Sequence, residues 1–108
     1  MKIEILPSAI KDLHAGRLFY EKQNKDIGDY FFDSLFSDID SLALYAGIHP
    51  LFAGYYRMLS KRFPFAIYYK FQNKERIIVY RVLDMRQNPV QLKVQLKANQ
   101  HGSDIIWL

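Results

Sequence analysis

The sequence predicts a single α+β domain: an N-terminal strand, a helix hairpin, then a three-stranded antiparallel sheet. Three observations lead there. A short alternating run opens the chain, residues 9–46 carry apolar side chains at helical spacing, and residues 55–83 hold runs rich in tyrosine, isoleucine and valine. At 108 residues, half of them apolar and 16% aromatic, the chain suffices for one packed core and not for two.

Lys2-Ile3-Glu4-Ile5-Leu6 alternates and stops at Pro7, as a first strand does. Ser8 is placed to cap the helix that follows. Ala9, Leu13, Gly16 and Tyr20 then recur at intervals of four, three and four, with Ile10 beside them, which predicts an amphipathic helix to about Lys25. Gly16 marks close packing against a neighbour. Asp26 and Asp29 suit the first turn of a second helix, whose stripe runs Phe32, Leu35, Phe36, Ile39, Leu42, Ala43 and Ala46 and ends at Gly47 and Pro50. Asp33, Asp38 and Asp40 are expected to face water.

The hairpin's apolar face needs a sheet, and Tyr55–Leu59, Phe65–Phe71 and Arg76–Leu83 supply the strands, with residues 72–75 as the turn between the last two. In the middle strand, parity sets Phe65, Ile67, Tyr69 and Phe71 toward the helices and Ala66, Tyr68 and Lys70 away from them. In the last strand it sets Ile78, Tyr80 and Val82 against Val79, Arg81 and Leu83, and Arg81 is expected exposed on the open face, the alternative being burial with a carboxylate. After the last strand the signals conflict. Asn88-Pro89 reads as a helix start, whereas Val90, Leu92, Val94 and Leu96 alternate as in a strand. Ile105-Ile106-Trp107-Leu108 is apolar enough to be expected against this domain or a second subunit.

Charge divides the chain. Residues 1–50 hold five Lys/Arg against eight Asp/Glu, and residues 51–108 hold ten against three. The basic half therefore carries the candidate binding residues: Arg57, Lys61, Arg62, Lys70, Arg81 and Arg86, with Tyr68 as the aromatic that would stack on a base or donate to a phosphate. Cations on the solvated side of a sheet suit phosphate or an acidic protein equally. His49 is the histidine placed to titrate near neutral pH in a loop beside them; His14 and His101 lie elsewhere. The sequence has no cysteine, which removes disulfides, thiolate metal sites and thiol nucleophiles. No His/Asp/Glu cluster at ligand spacing and no glycine-rich phosphate loop is present, so neither metal nor cofactor is expected. With no apolar run near ~20 residues, a cytoplasmic protein without a membrane partner is expected.

The element order, Arg57, the run Arg62-Phe63-Pro64-Phe65-Ala66-Ile67-Tyr68-Tyr69 and the Arg86-to-Pro89 ending resemble the RelE/ParE superfamily of bacterial toxins. The resemblance covers roughly residues 1–90, leaving 90–108 as a C-terminal extension. It implies the toxin half of a type II toxin-antitoxin pair, neutralised by an acidic antitoxin. RelE-like members cut messenger RNA on the ribosome without metal, and that reading would make Arg57, Arg81, Arg86 and His49 the catalytic candidates, with Arg86 at the position of an important arginine. Such enzymes usually set a Tyr or His a few residues further on, where this chain has Gln87, Asn88, Val90, Gln91 and Leu92. ParE-like members poison DNA gyrase with no hydrolytic centre, and the pattern fits that branch better. Asp84 stands where many relatives carry His. A degenerate member that only binds its antitoxin is the third alternative.

Overall fold

The computed structural model describes residues 1–97, and the apolar Ile105–Leu108 segment and His101 lie outside the described residues. Strand β1 (Lys2–Ile5) leads into helices α1 (Pro7–Glu21), α2 (Lys25–Asp40) and α3 (Leu42–Tyr45). Strands β2 (Leu51–Phe52), β3 (Tyr55–Leu59), β4 (Phe65–Asn73) and β5 (Arg76–Asp84) follow, and a helix α4 occupies residues 89–97.

The sheet has five strands in the order β1-β5-β4-β3-β2, rather than the three expected. β1 joins it in parallel to β5, pairing Ile3 with Ile77 and Ile5 with Val79; the other pairings are antiparallel. The whole chain from α1 to β4 lies between β1 and β5, the long connection that a parallel neighbour requires. β2 is two residues long and turns into β3 through Ala53 and Gly54, both at positive φ (53° and 85°), the pair of left-handed positions a tight hairpin uses.

Helix α1 starts without the expected cap. Leu6 is the N-cap residue with no side-chain bond, Pro7 fills the first turn, and the Ser8 hydroxyl donates instead to the Tyr80 carbonyl of β5, 2.7 Å away. α1 stops at Glu21, and Asn24, not Asp26, caps α2 by accepting from the Asp26 N–H at 2.8 Å. The inner face of α1 is the predicted one: Ala9, Leu13, Gly16 and Tyr20 are buried. That of α2 is rotated from prediction, with Gly28, Phe31, Ser34, Leu35, Asp38 and Ile39 inside and Phe32 on the flank. Gly16 explains the rotation. A Cβ there would overlap the Phe31 ring, so the missing side chain admits that ring between the helices.

Ala9, Leu13, Tyr20, Phe31, Leu35 and Ile39 of the helices and Phe65, Ile67, Tyr69, Ile77, Val79 and Val82 of the sheet form the principal core. The opposite side of the sheet is not open. Tyr55, Ala66, Tyr68 and Leu83 pack there under Leu92 and Leu96 of α4 as a second core. The conflicting signals after Asn88 resolve as a helix because Asn88 caps it: its side chain accepts from the Val90 N–H at 2.8 Å and its carbonyl from the Leu92 N–H at 3.1 Å, with Pro89 in the first turn. Parity in β4 is as predicted, whereas β5 departs from it. The register steps from Tyr68–Arg81 to Tyr69–Val79, leaving Tyr80 as an extra residue, so Ile77 and Val79 face the hairpin while Tyr80 faces α4.

Candidate functional site

The candidate residues do not converge on one spot; the fold distributes them over three. His49, Arg57 and Lys61 line one groove, Tyr68, Lys70 and Arg81 belong to the region under α4, and Arg62 and Arg86 stand at the end of the molecule where α1, α2, the β3–β4 loop and β5 meet.

The groove, about 580 Å³, lies along β3 past the end of β2, and Tyr45, Ile48, Pro50, Met58 and Leu59 make most of its wall. His49 sits at one side with Nδ1 2.5 Å from the Tyr69 hydroxyl. The Gly47 N–H donates to the same oxygen at 2.9 Å, and the direction of the bond between the phenol and Nδ1 follows the histidine tautomer. Burial lowers the His49 pKa from the usual 6.5 and so favours the neutral ring. Burial raises that of Tyr69. Arg57 lays its guanidinium 4.4 Å from the Phe52 ring centre and hydrogen-bonds the Tyr68 phenol. Asp38, expected in water, is 5% exposed at the groove floor, accepting from the Ser60 hydroxyl at 2.7 Å and the Lys61 N–H at 3.4 Å. The signal that finds it is its spacing: Phe31, Leu35, Asp38 and Leu42 recur at four, three and four, which sets this aspartate on the inner face. It anchors the loop that carries Lys61 and Arg62.

Under α4 the expected display of cations is absent. Tyr68 is fully buried, its pKa raised by burial, and its hydroxyl reaches only Arg57 and the Met85 sulfur. The expectation that it stacks on a ligand is corrected: α4 covers it. Arg81 is not exposed either. The bulge at Tyr80 re-aims it toward α1, where its Nε and a terminal nitrogen meet the two Asp12 oxygens at 2.7 and 2.9 Å. Asp12 also accepts the Val82 N–H at 2.9 Å, closing the β5 edge where β1 has ended. Lys70 rests its ammonium 4.4 Å from the Tyr55 ring centre and 5.6 Å from that of Tyr80. This cation is engaged with the chain's own aromatics.

At the third location Arg86 is bound by its own neighbour. Its Nε and a terminal nitrogen contact Asp84 at 3.0 and 2.6 Å, and its backbone N–H contacts the same carboxylate at 2.9 Å. These bonds hold the Asp84 pKa below its usual value and raise that of Arg86. Arg86 also lies over Phe19 and Arg62 over Tyr30, at 5.8 and 5.9 Å. Between them run the rings of Phe19, Tyr20, Phe63 and Tyr30, with neighbouring centres 5.0 to 5.6 Å apart. No property of the sequence read singly joins these four rings, because they come from three separate elements.

Among the described residues no group of three or more His, Cys, Asp or Glu side chains is placed to hold a metal, and no helix is long and apolar enough to cross a membrane.

Residues 3–89 match the sequence model of the ParE toxin of the type II toxin-antitoxin system parDE, which is most of the chain. The chain belongs to the ParE toxin family. The fold agrees: a solved structure titled "Chromosomal ParDE TA system from P. aeruginosa" superposes with a TM-score of 0.72 at 16% identity, over 80% of this chain and 97% of that one. Among curated proteins no sequence match is found. The ParE match ends at residue 89, where α4 begins, so the helix that covers the second core lies outside the matched region.

Proposed function

We propose that this ParE-family toxin, one domain with residues 90–108 as its extension, arrests bacterial growth by gripping a protein of the DNA-gyrase kind in the cytoplasm, and that an acidic antitoxin neutralises it. The observation that carries this reading is the closed sheet. Cleavage by the RNA's own 2′-hydroxyl needs cations around the phosphate with a base and an acid beside them. Here Tyr68 is buried beneath α4, Arg81 is paired with Asp12 and Arg86 with Asp84, and the neutral His49 bonds to Tyr69 in a groove far in sequence from the Arg86 turn. The arginine and tyrosine surfaces left outside are of the composition that anchors protein interfaces.

A supercoiling assay tests it directly. Purified chain added to DNA gyrase and relaxed plasmid is expected to reduce supercoiling in proportion to dose, while message on ribosomes stays intact. Message cut within codons by the same preparation would contradict the proposal and restore the nuclease alternative.

A further inference from the structure

Asp38 is the one charged side chain that the fold buries among the described residues, at 5% exposure, and no cation there is paired with it. A buried carboxylate ordinarily has a counter-charge. Asp12, the comparable carboxylate of α1, accepts from Arg81 on both of its oxygens. Asp38 instead accepts from the Ser60 hydroxyl and the Lys61 N–H, two neutral donors, on the single oxygen Oδ2. Its Oδ1 carries no hydrogen bond among the described residues. That oxygen is not shut away, since among the described residues the one sealed side-chain atom without a partner is Oε1 of Gln95, and Asp38 lines the β3 groove. A charged acceptor therefore opens into the groove. Lys61 begins beside it, through the N–H bonded to Oδ2, lines the same groove, and has no carboxylate partner for its ammonium among the described residues. Arg57 offers less charge than its position suggests, because its guanidinium is engaged by the Phe52 ring and the Tyr68 phenol. The remaining wall is apolar, with Ile48 73% and Leu59 59% exposed, and the space of about 580 Å³ is of the size that takes a small molecule.

We infer that this groove binds a free α-amino acid with a large apolar side chain. The ligand's ammonium donates to Asp38 Oδ1, its carboxylate meets the Lys61 ammonium, and its side chain lies against Ile48, Met58 and Leu59. An α-amino acid carries its two charges on one carbon, and the protein sets the two answering groups side by side through the bond from the Lys61 N–H to Asp38. Both charges matter to the fit. An amine without a carboxylate leaves Lys61 unanswered, and a carboxylate without an amine stands against Asp38 with nothing to neutralise it. The inference does not depend on the toxin reading, because it needs only the groove and its two charged groups.

The test uses the full chain, isotope-labelled for NMR, and three probes with the same ring: free phenylalanine, phenethylamine, which lacks the carboxylate, and phenylpropionate, which lacks the amine. Phenylalanine is expected to shift the Lys61 amide and the methyls of Ile48, Met58 and Leu59. Phenethylamine should bind about threefold more weakly, the worth of one exposed ion pair, and phenylpropionate should not bind. Lys61→Gln should likewise weaken phenylalanine about threefold. Asp38→Asn keeps an oxygen for Ser60 and Lys61 but turns an amide toward the groove, and should weaken phenylalanine by about tenfold or more. Where that variant fails to fold, the probe series and Lys61→Gln decide. Phenylpropionate binding as well as phenylalanine does, shifts centred away from the groove, or no shift at millimolar phenylalanine would each overturn the assignment. So would tighter binding to Lys61→Gln, which would mean that Lys61 itself serves as the counter-charge of Asp38.

Discussion

Asp12 shows how one side chain can decide the fate of another. It closes the β5 edge through the Val82 N–H and takes both oxygens to Arg81, and the two side chains keep only 14% and 19% of their exposure. Removing either partner leaves a half-buried charge or an open edge. Asp12→Ala is expected to lower stability by about 2 kcal/mol, and the double variant with Arg81→Ala by less than the sum, checked by urea unfolding. If Arg81 served a ligand rather than the fold, Asp12→Ala would leave stability unchanged. His49 makes a second residue-scale prediction. Its folded pKa lies below the usual 6.5 because burial disfavours the charged form, and the neutral ring bonds Tyr69. As pH falls through that unfolded value the unfolded chain takes up a proton that the folded chain refuses, so stability drops until the folded pKa is passed. Melting temperature should fall between about pH 7 and pH 5 more steeply for the natural chain than for His49→Asn.

At the scale of elements, α4 is the piece that decides what the sheet can do. Leu92 and Leu96 seal Tyr55, Ala66, Tyr68 and Leu83, and the Tyr55 hydroxyl donates to the Leu96 carbonyl at 2.9 Å. Leu96→Ala is expected to cost about 3 kcal/mol, as for a fully buried leucine, and to raise exchange of the amides of residues 89–97 first; uniform loss across the sheet would show that the second core is not a separate layer. How much was legible follows from the same elements. α1's face and the bounds of β3 could be read because their periods are uninterrupted. The α2 face was misread by about one residue because Phe31 and Phe32 are indistinguishable as hydrophobes, and the choice between them depends on a space at Gly16 that lies on another helix. β2 was missed because two residues have no period. The parity of β5 failed at Tyr80 because a bulge costs one residue and leaves no mark in composition. The candidate cations were found by type; the engagement of Arg81 with Asp12 and of Lys70 with Tyr55 depends on pairings distant in sequence, whereas that of Arg86 with Asp84 and of Arg57 with Phe52 is local but leaves no mark in composition.

Over the whole molecule, the charge asymmetry of the sequence becomes a spatial one, although not in the expected form. The basic half does not offer one cationic platform; several of its cations, Arg57 on the Phe52 ring included, are absorbed by ion pairs and rings, and Lys61 lines the β3 groove without a carboxylate partner among the described residues. Such an arrangement favours recognition of proteins over chemistry on a phosphate, and it is the basis for reading this ParE-family chain as a toxin that acts by binding. The most direct measurement is to induce the chain alone in a bacterial host and pulse-label DNA and protein synthesis separately. The account predicts that DNA synthesis stops first, with a DNA-damage response and intact messages. Protein synthesis stopping first, with messages cut within codons, would contradict it.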